Sequence, residues 1–148
     1  MQRAIIFLSL IILSGCSGQH KKLNRIIEKA TKAEVFVFDK GFDQNGLRAY
    51  ESSDPARIKQ FKNYFTNRHA PQYKCGFSGK IVFSYGKKDL DILFNLDSDC
   101  THIAYMIDYN LYTMQLSEKG REFLKTVTAN LPLKPMQQNK VNVGEEAN

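Results

Sequence analysis

Residues 80–96, KIVFSYGKKDLDILFNL, decide the fold because they read as two β-strands joined by a tight connection. Apolar and polar side chains largely alternate over 80–85 and again over 90–96, which is the period of a strand with one buried face. Residues 86–89 are polar and begin with glycine, so they predict the turn. We therefore predict an antiparallel hairpin here, one of three in the chain.

The register of this hairpin predicts a disulfide. The apolar side chains align on one face if Phe83 lies opposite Ile92 and the neighbouring pairs follow in step. The same register places Cys75 opposite Cys100, at the short separation that a disulfide requires. A bond that closes a loop of this length stabilises a fold by about 3.5 kcal/mol in the chain-entropy estimate. Two buried free thiols are the alternative.

Two further hairpins flank this one. Residues 33–39 and 46–52 are predicted strands, and the Asn45-Gly46 pair in their connection favours a positive φ. Alternating apolar residues over 102–116 predict the third hairpin, with its turn at 108–111 and Ile107 opposite Tyr112.

Apolar residues at helical spacing predict three helices. They cover residues 22–32, residues from Asp54-Pro55 to about 66–68, and residues 118–130 after a Ser117 cap. The resulting order is helix, hairpin, helix, two hairpins and helix, which favours a single α+β domain. We predict an antiparallel sheet of about six strands, with the three helices packed mainly on one face. The strand order stays open.

Composition fits a soluble globular domain. Of the 148 residues, 43% are hydrophobic and 24% are charged. These values exclude a fully disordered chain, a collagen-like repeat and a polytopic membrane protein. The formal net charge is +6 at pH 7, but no run of Lys or Arg exceeds two residues and no nucleic-acid-binding motif accompanies the charge. We therefore expect no nucleic-acid partner.

The N-terminus predicts export. Arg3 precedes an apolar stretch over residues 4–13, which is too short to span a bilayer as a helix and fits a secretory signal. The stretch ends in Leu13-Ser14-Gly15-Cys16, which resembles the lipobox of bacterial lipoproteins. This resemblance implies that residues 1–15 are removed and that acyl chains on Cys16 hold the protein at a membrane. An uncleaved anchor or an ordinary secretory signal is the alternative.

The resemblance also implies a location in the bacterial cell envelope. Ser17, and not Asp, follows Cys16, which in the enterobacterial sorting pattern resembles an outer-membrane destination. Cys75 and Cys100 would then lie in a compartment where disulfides persist. We divide the chain into a signal peptide (1–15), a tether (16–22), a globular domain (23–135) and a polar flexible tail (136–148).

Two groups of residues are candidates for binding. The first predicted helix carries a basic stripe that could touch anionic headgroups, formed by Lys22, Arg25, Lys29 and Lys32. A solvated helix face is the alternative. The third hairpin places Tyr109, Asn110 and Leu111 at its tip, where exposed aromatic side chains can anchor a protein partner. Chance exposure is the alternative for Tyr109.

One polar cluster is a candidate for chemistry. Asp97, Asp99 and His102 could bind a divalent cation, or pair as a base and its orienting group. Asp and Ser are also favoured in loops for their backbone hydrogen bonds, which is the alternative. We expect His102 on the strand face opposite Ile103, toward solvent. Since no nucleophile motif accompanies the cluster, we expect no catalytic residues, no metal and no cofactor.

These observations predict a non-enzymatic envelope lipoprotein whose small domain binds a partner protein, as an assembly factor, an inhibitor or an immunity-type protein. A small hydrolase or metal-dependent enzyme that uses Asp97, Asp99 and His102 is one alternative. A domain that holds a lipid or small ligand between helices and sheet is another.

Overall fold

The computed structural model describes residues 17–38, 46–71 and 75–131. Over these ranges the chain forms three α-helices, a short 3-10 helix and one seven-stranded antiparallel sheet. The predicted α+β class is confirmed, but the sheet has seven strands and not about six. Cys16, the predicted signal peptide and the predicted tail lie outside the described residues.

The elements follow one another along the chain in the order α1 (Ser17–Lys29), β1 (Lys32–Val37), β2 (Leu47–Ser52), α2 (Pro55–Gln60), the 3-10 helix (Phe61–Asn63), β3 (Phe65–His69), β4 (Gly79–Tyr85), β5 (Lys88–Asn95), β6 (His102–Ile107), β7 (Asn110–Leu116) and α3 (Glu118–Ala129). Across the sheet the strand order is β2-β1-β4-β5-β6-β7-β3. The three predicted hairpins are present as β1–β2, β4–β5 and β6–β7. After β2 at one edge, α2 and the 3-10 helix lead to β3 at the other edge, and the chain returns to the centre as β4.

Helix α1 begins earlier and ends earlier than predicted. Residues 17–22, which we expected to belong to a tether, form its first turns, and the helix ends at Lys29. Lys32 is therefore not a helical residue but the first residue of β1. In contrast, α3 begins where we predicted, because the Ser117 hydroxyl accepts a hydrogen bond from the Gly120 N–H at 3.1 Å.

The second predicted helix is shorter than expected. Asp54 caps it by accepting from the Ala56 N–H at 2.8 Å, but α2 ends at Gln60. Residues 65–69 form β3 instead, which pairs with β7. This strand is the one that the sequence did not predict. The Thr66 hydroxyl donates to the Gln115 carbonyl at 2.8 Å. Pairing with a strand that is distant in sequence thus overrides the local helical spacing.

Both central hairpins differ from the predicted register by two residues. In β4–β5, Phe83 faces Leu90 and Ile81 faces Ile92, so that only residues 86–87 form the turn. In β6–β7, Ile107 faces Asn110 around a two-residue turn at 108–109. A shift of two keeps every side chain on its face, so the hydrophobic pattern cannot detect it. In the observed register each hairpin has a two-residue loop, which is the commonest loop length in hairpins.

A single core lies between the helices and one face of the sheet. Leu23 and Ile27 of α1, Ile58 of α2 and Leu124 of α3 all belong to it. Phe61 lies at its centre, and its ring centroid is 5.1–6.2 Å from four other aromatic rings, those of Tyr50, Tyr64, Phe83 and Phe123. All three helices pack on this face, as predicted.

The predicted disulfide between Cys75 and Cys100 is present, with the two Cα atoms 6.4 Å apart. The reason given for it was wrong, because in the observed register Cys75 does not continue a ladder opposite Cys100. The β4–β5 ladder ends at the Gly79–Phe94 pair. The bond therefore joins the segment before β4 to the loop after β5, beyond the end of the hydrogen-bonded strands.

Candidate interaction surface

The face of the sheet opposite the helices is the candidate functional surface. Side chains alternate between the faces of a strand, so residues between the core positions of β5, β6 and β7 point to this second face. We call its apolar part the groove face, which is formed by Leu93, Ala104, Met106, Leu111 and Thr113. Leu93, Ala104 and Thr113 form one row across the three strands, and Met106 pairs directly with Leu111.

A groove of about 350 Å³ lies on this face, lined by Phe77, Leu93, His102, Ala104, Tyr105, Met106, Leu111 and Thr113. At one end of it, Met106 is 59% exposed and Leu111 is 57% exposed. Two large apolar side chains that face each other across a strand pair and remain in water form an apolar patch. This groove therefore lies on the outer face of the sheet. The ligand site that we considered as an alternative would lie on the other face, between the helices and the sheet.

His102 closes the other end of the groove. The prediction that it lies opposite Ile103 is correct, but the expected exposure is wrong, since only 2% of it is accessible. Phe77, in the segment after the disulfide, lies over it with the two ring centroids 5.6 Å apart. Its Nδ1 is within hydrogen-bond distance of the Cys100 carbonyl. The imidazole is therefore part of the packing that holds the disulfide-bonded loops.

The two carboxylates of the predicted polar cluster do not join His102. Asp97 and Asp99 are exposed, and neither lines the groove. The Asp97 carbonyl accepts from the Cys100 N–H at 3.0 Å and from the Thr101 hydroxyl at 2.8 Å, as in an ordinary polar turn. Among the described residues, no three His, Cys, Asp or Glu side chains are grouped so that they could hold a metal ion.

Tyr109, Asn110 and Leu111, which we expected to form one contact at the tip of the β6–β7 hairpin, do not lie on one surface. Asp108 and Tyr109 form the two-residue turn, with positive φ values of 51° and 62°. Tyr109 is 99% exposed, whereas Leu111 belongs to the groove face. Asn110 is exposed, and its side-chain amide donates to the Asp108 carbonyl at 2.9 Å. Tyr109 therefore projects from the tip, separately from the groove.

Tyr105 and Tyr112, the other tyrosines of this hairpin, lie on the core side. Their ring centroids are 5.5 Å apart, and the Tyr105 hydroxyl points at the Met114 sulfur at 3.5 Å. Burial, together with the nearby Tyr112, raises the pKa of Tyr105 above its ordinary value. These two residues therefore pack in and against the core.

Paired charges border the groove face on its β4–β1–β2 side. Lys80 and Asp91 form an ion pair across β4–β5 at 3.0 Å. Glu34, only 8% exposed, is held by Lys32 at 2.7 Å and by Arg48 at 3.1 Å. Burial raises the pKa of Glu34, but the hydrogen bonds from the two cations outweigh it and leave that pKa below its usual value. The charged side chains that border the apolar groove face are thus paired with one another.

The predicted basic stripe is present only in part. Lys22, Arg25 and Lys29 are exposed on α1, but Lys32 lies in β1 and pairs with Glu34. Lys22 forms an ion pair with Asp108 in the β6–β7 turn.

Sequence reasoning missed Met106 and Phe77 as groove residues. Met106 could have been identified from the sequence. It is an apolar residue between Tyr105 and Ile107, at a position where the alternation of the strand predicts a polar one. Phe77 had no such signal, since it belongs to no strand and reaches the groove only through the fold.

Comparison with known proteins adds no functional information: no family model, no curated protein and no solved structure matches this chain. Within the described ranges, no helix has both the length and the apolar character needed to cross a bilayer.

Proposed function

We propose that this chain is a lipid-anchored protein of the bacterial cell envelope whose domain binds a partner protein through the groove face. The observation that carries the proposal is the Met106–Leu111 pair, which is more than half exposed beside the groove. Contiguous apolar surface with a polar border is typical of protein interaction sites. Methionine also adapts its shape to a partner at low energetic cost.

The charges around the groove face favour a protein over a charged small ligand. Lys80 is paired with Asp91, and Glu34 is paired with two cations. A ligand with a carboxylate or a phosphate would have to compete with these existing ion pairs. An apolar side chain of a partner would instead bury Met106 and Leu111, and full burial of such side chains contributes about 1.5–3 kcal/mol each.

The catalytic alternative receives no comparable support. It requires Asp97, Asp99 and His102 to converge on one pocket, and only His102 lines the groove. We therefore propose a binding function and not a hydrolytic or metal-dependent one.

The anchor is proposed from the sequence motif Leu13-Ser14-Gly15-Cys16. The Cys75–Cys100 disulfide supports an oxidising compartment, because such bonds persist in the envelope and are rare in the cytosol. Mass spectrometry of the mature N-terminal peptide tests this part separately. A diacylglyceryl group on Cys16 is the expected result, and an unmodified or uncleaved N-terminus would contradict it.

A site-specific crosslink tests the binding surface. A photoreactive amino acid replaces Met106, and in a matched control it replaces Lys125, which is exposed on α3 on the other side of the sheet. In intact cells we expect a discrete protein adduct from position 106 that is absent from position 125. Leu111→Asp should abolish that adduct while leaving the thermal unfolding midpoint unchanged. The same adducts from both positions, or none from position 106, would refute the groove face as the binding site.

A further inference from the structure

Two turns lie together at one end of the sheet. Strands β4 and β6 both run antiparallel to β5, so they run parallel to each other and end on the same side. The β4–β5 turn and the β6–β7 turn therefore occupy one end, where β1 also begins. The disulfide lies near the opposite end, beyond the Gly79–Phe94 pair.

Helix α1 contacts this same end at two places. In its first half, Lys22 Nζ lies 3.1 Å from Asp108 Oδ2 in the β6–β7 turn. Just after its end, the Thr31 N–H donates to the Ser84 carbonyl at 2.8 Å, two residues before the β4–β5 turn. The helix and the two turns thus form one continuous surface, which we call the anchor end.

The anchor end is strongly basic. Its exposed cations lie on the outer side of α1, in the β4–β5 turn and at the start of β5, and they are Lys21, Lys22, Arg25, Lys29, Lys87 and Lys88. Its acidic residues are fewer. Asp108 is paired with Lys22, Glu28 is paired with Lys62 at 2.8 Å, and Asp89 follows the β4–β5 turn. Basic residues close to an anionic lipid surface each strengthen binding to it.

Tyr109 projects from this end without any packing role inside the domain. It is 99% exposed, and its φ of 62° is one that Gly or Asn adopts at lower cost than a bulky residue. A costly backbone conformation at a side chain that no described residue covers points to a contact outside the domain. Tyrosine is enriched at the membrane–water interface, where its ring and its hydroxyl each meet a suitable environment.

We propose that the anchor end lies on an anionic lipid surface, with Arg25, Lys29, Lys87 and Lys88 among the headgroups and Tyr109 at the interface. The proposal rests on the proposed acylation of Cys16. Ser17, the next residue, begins α1, and Lys22 follows about 8 Å further along the helix axis. The acyl chains would therefore enter the bilayer beside the β6–β7 turn. The groove face, on the side of the sheet, remains accessible to a partner.

Tryptophan substitution gives a direct test because the chain contains no tryptophan. Tyr109→Trp places a single fluorophore at the anchor end. Ser98→Trp, in the exposed β5–β6 loop near the opposite end, is the matched control. The acylated proteins are reconstituted into vesicles of phosphatidylcholine and phosphatidylglycerol that carry brominated acyl chains. We expect a blue shift and quenching at position 109 and neither change at position 98. Equal quenching at both positions, or none at position 109, overturns the proposal.

Charge reversal tests the basic surface. In the Tyr109→Trp background, Arg25→Glu combined with Lys29→Glu should abolish most of the quenching. The same charge change on α3, Lys119→Glu with Lys125→Glu, should leave the quenching unchanged. If the two double variants behave alike, the anchor end has no lipid-binding role.

Flotation of the vesicles separates failure of this proposal from failure of the anchor. Protein that floats but shows no quenching at position 109 keeps the anchor and refutes the contact by the anchor end. Protein that does not float refutes the anchor, and the contact proposal with it. A protein adduct at position 109 in cells, without quenching by lipid, would assign the tip to a protein partner and overturn the lipid proposal.

Discussion

Lys22 and Asp108 form an ion pair with 3.1 Å between Nζ and Oδ2, although 86 positions separate them in the chain. Their side chains are 50% and 73% exposed, and exposed pairs of this kind contribute at most about 1 kcal/mol. The importance of the pair is therefore geometric. It places the turn that carries the fully exposed Tyr109 beside the helix that begins one residue after the proposed acylation site.

Tyr109→Gly should remove the exposed ring from this tip and at the same time stabilise the fold. Glycine adopts the observed positive φ without the penalty that an L side chain incurs, and Asp-Gly is a favoured pair for a two-residue hairpin turn. We expect the free energy of unfolding to rise by up to about 1 kcal/mol in urea titrations. Tyr109→Ala, which keeps the penalty, should leave stability unchanged or slightly lower. Marked destabilisation by Tyr109→Gly would mean that the ring packs inside the domain.

Gly120→Ala should destabilise the fold despite the higher helix propensity of alanine. A Cβ at position 120 would lie 2.4 Å from the Tyr64 carbonyl oxygen and 2.8 Å from the Tyr64 Cβ, so α3 would have to move away from this segment. We expect a loss of about 1–3 kcal/mol in the free energy of unfolding.

Gly18→Ala is the matched control for this substitution. Apart from its chain neighbours and the nearby backbone of α1, no atom of the described residues lies within 4 Å of a Cβ added there. Urea titration should therefore show a free energy of unfolding that is unchanged or higher by up to about 1 kcal/mol. A result for Gly120→Ala that resembles the control would show that α3 does not depend on this close approach.

The disulfide should account for a large part of the stability. Replacing both Cys75 and Cys100 by Ser opens a loop with a sequence separation of 25. The chain-entropy estimate gives a loss of about 3.5 kcal/mol in the free energy of unfolding. Denaturant titration of the double variant, beside the wild type under reducing conditions, measures the loss. The two samples should agree, and a loss below about 1 kcal/mol would contradict this assignment.

Acid should weaken the wild type more than Glu34→Gln. The pKa of Glu34 is lowered in the folded state, because the hydrogen bonds from Lys32 and Arg48 outweigh the effect of burial. A lowered pKa stabilises the fold above the unfolded-state value of about 4.3. That contribution disappears as the pH falls through the folded-state pKa. The difference in urea midpoint between wild type and variant should therefore be largest near neutral pH and vanish in acid. A difference that does not change with pH would show that Glu34 acts only through packing.

Local signals were sufficient for most elements. The Ser117 and Asp54 caps begin α3 and α2 where the sequence places them, and Gly46 has the positive φ that the Asn45-Gly46 pair predicts. These features depend on residues that are neighbours in the chain. Strand β3 was missed because its partner, β7, lies more than 40 positions further along the chain. No local pattern reports such a pairing.

The candidate site was predictable only where exposure follows from a turn. Tyr109 was identified because it lies in a predicted hairpin tip. His102 was placed in water because its strand neighbours alternate, whereas Phe77, which arrives from another segment, covers it. Asp97 and Asp99 are close to His102 in the chain, yet they turn outward with the loop. Closeness in sequence therefore did not bring the three side chains into one pocket.

The sequence by itself determined the α+β class, the three hairpins, and the caps of α2 and α3, since these follow from periodicity and turn chemistry. The bonded cysteine pair was also named correctly, but from a register that the hairpin does not have. Only the tertiary structure decided the register within two hairpins, the seventh strand, the strand order, and the meeting of α1 with the β6–β7 turn. The physical reason is that alternation fixes a face but not a register, because a shift of two residues leaves every apolar side chain on the same side. Long-range pairings such as Phe65 with Leu116 exist only once the core has brought distant segments together.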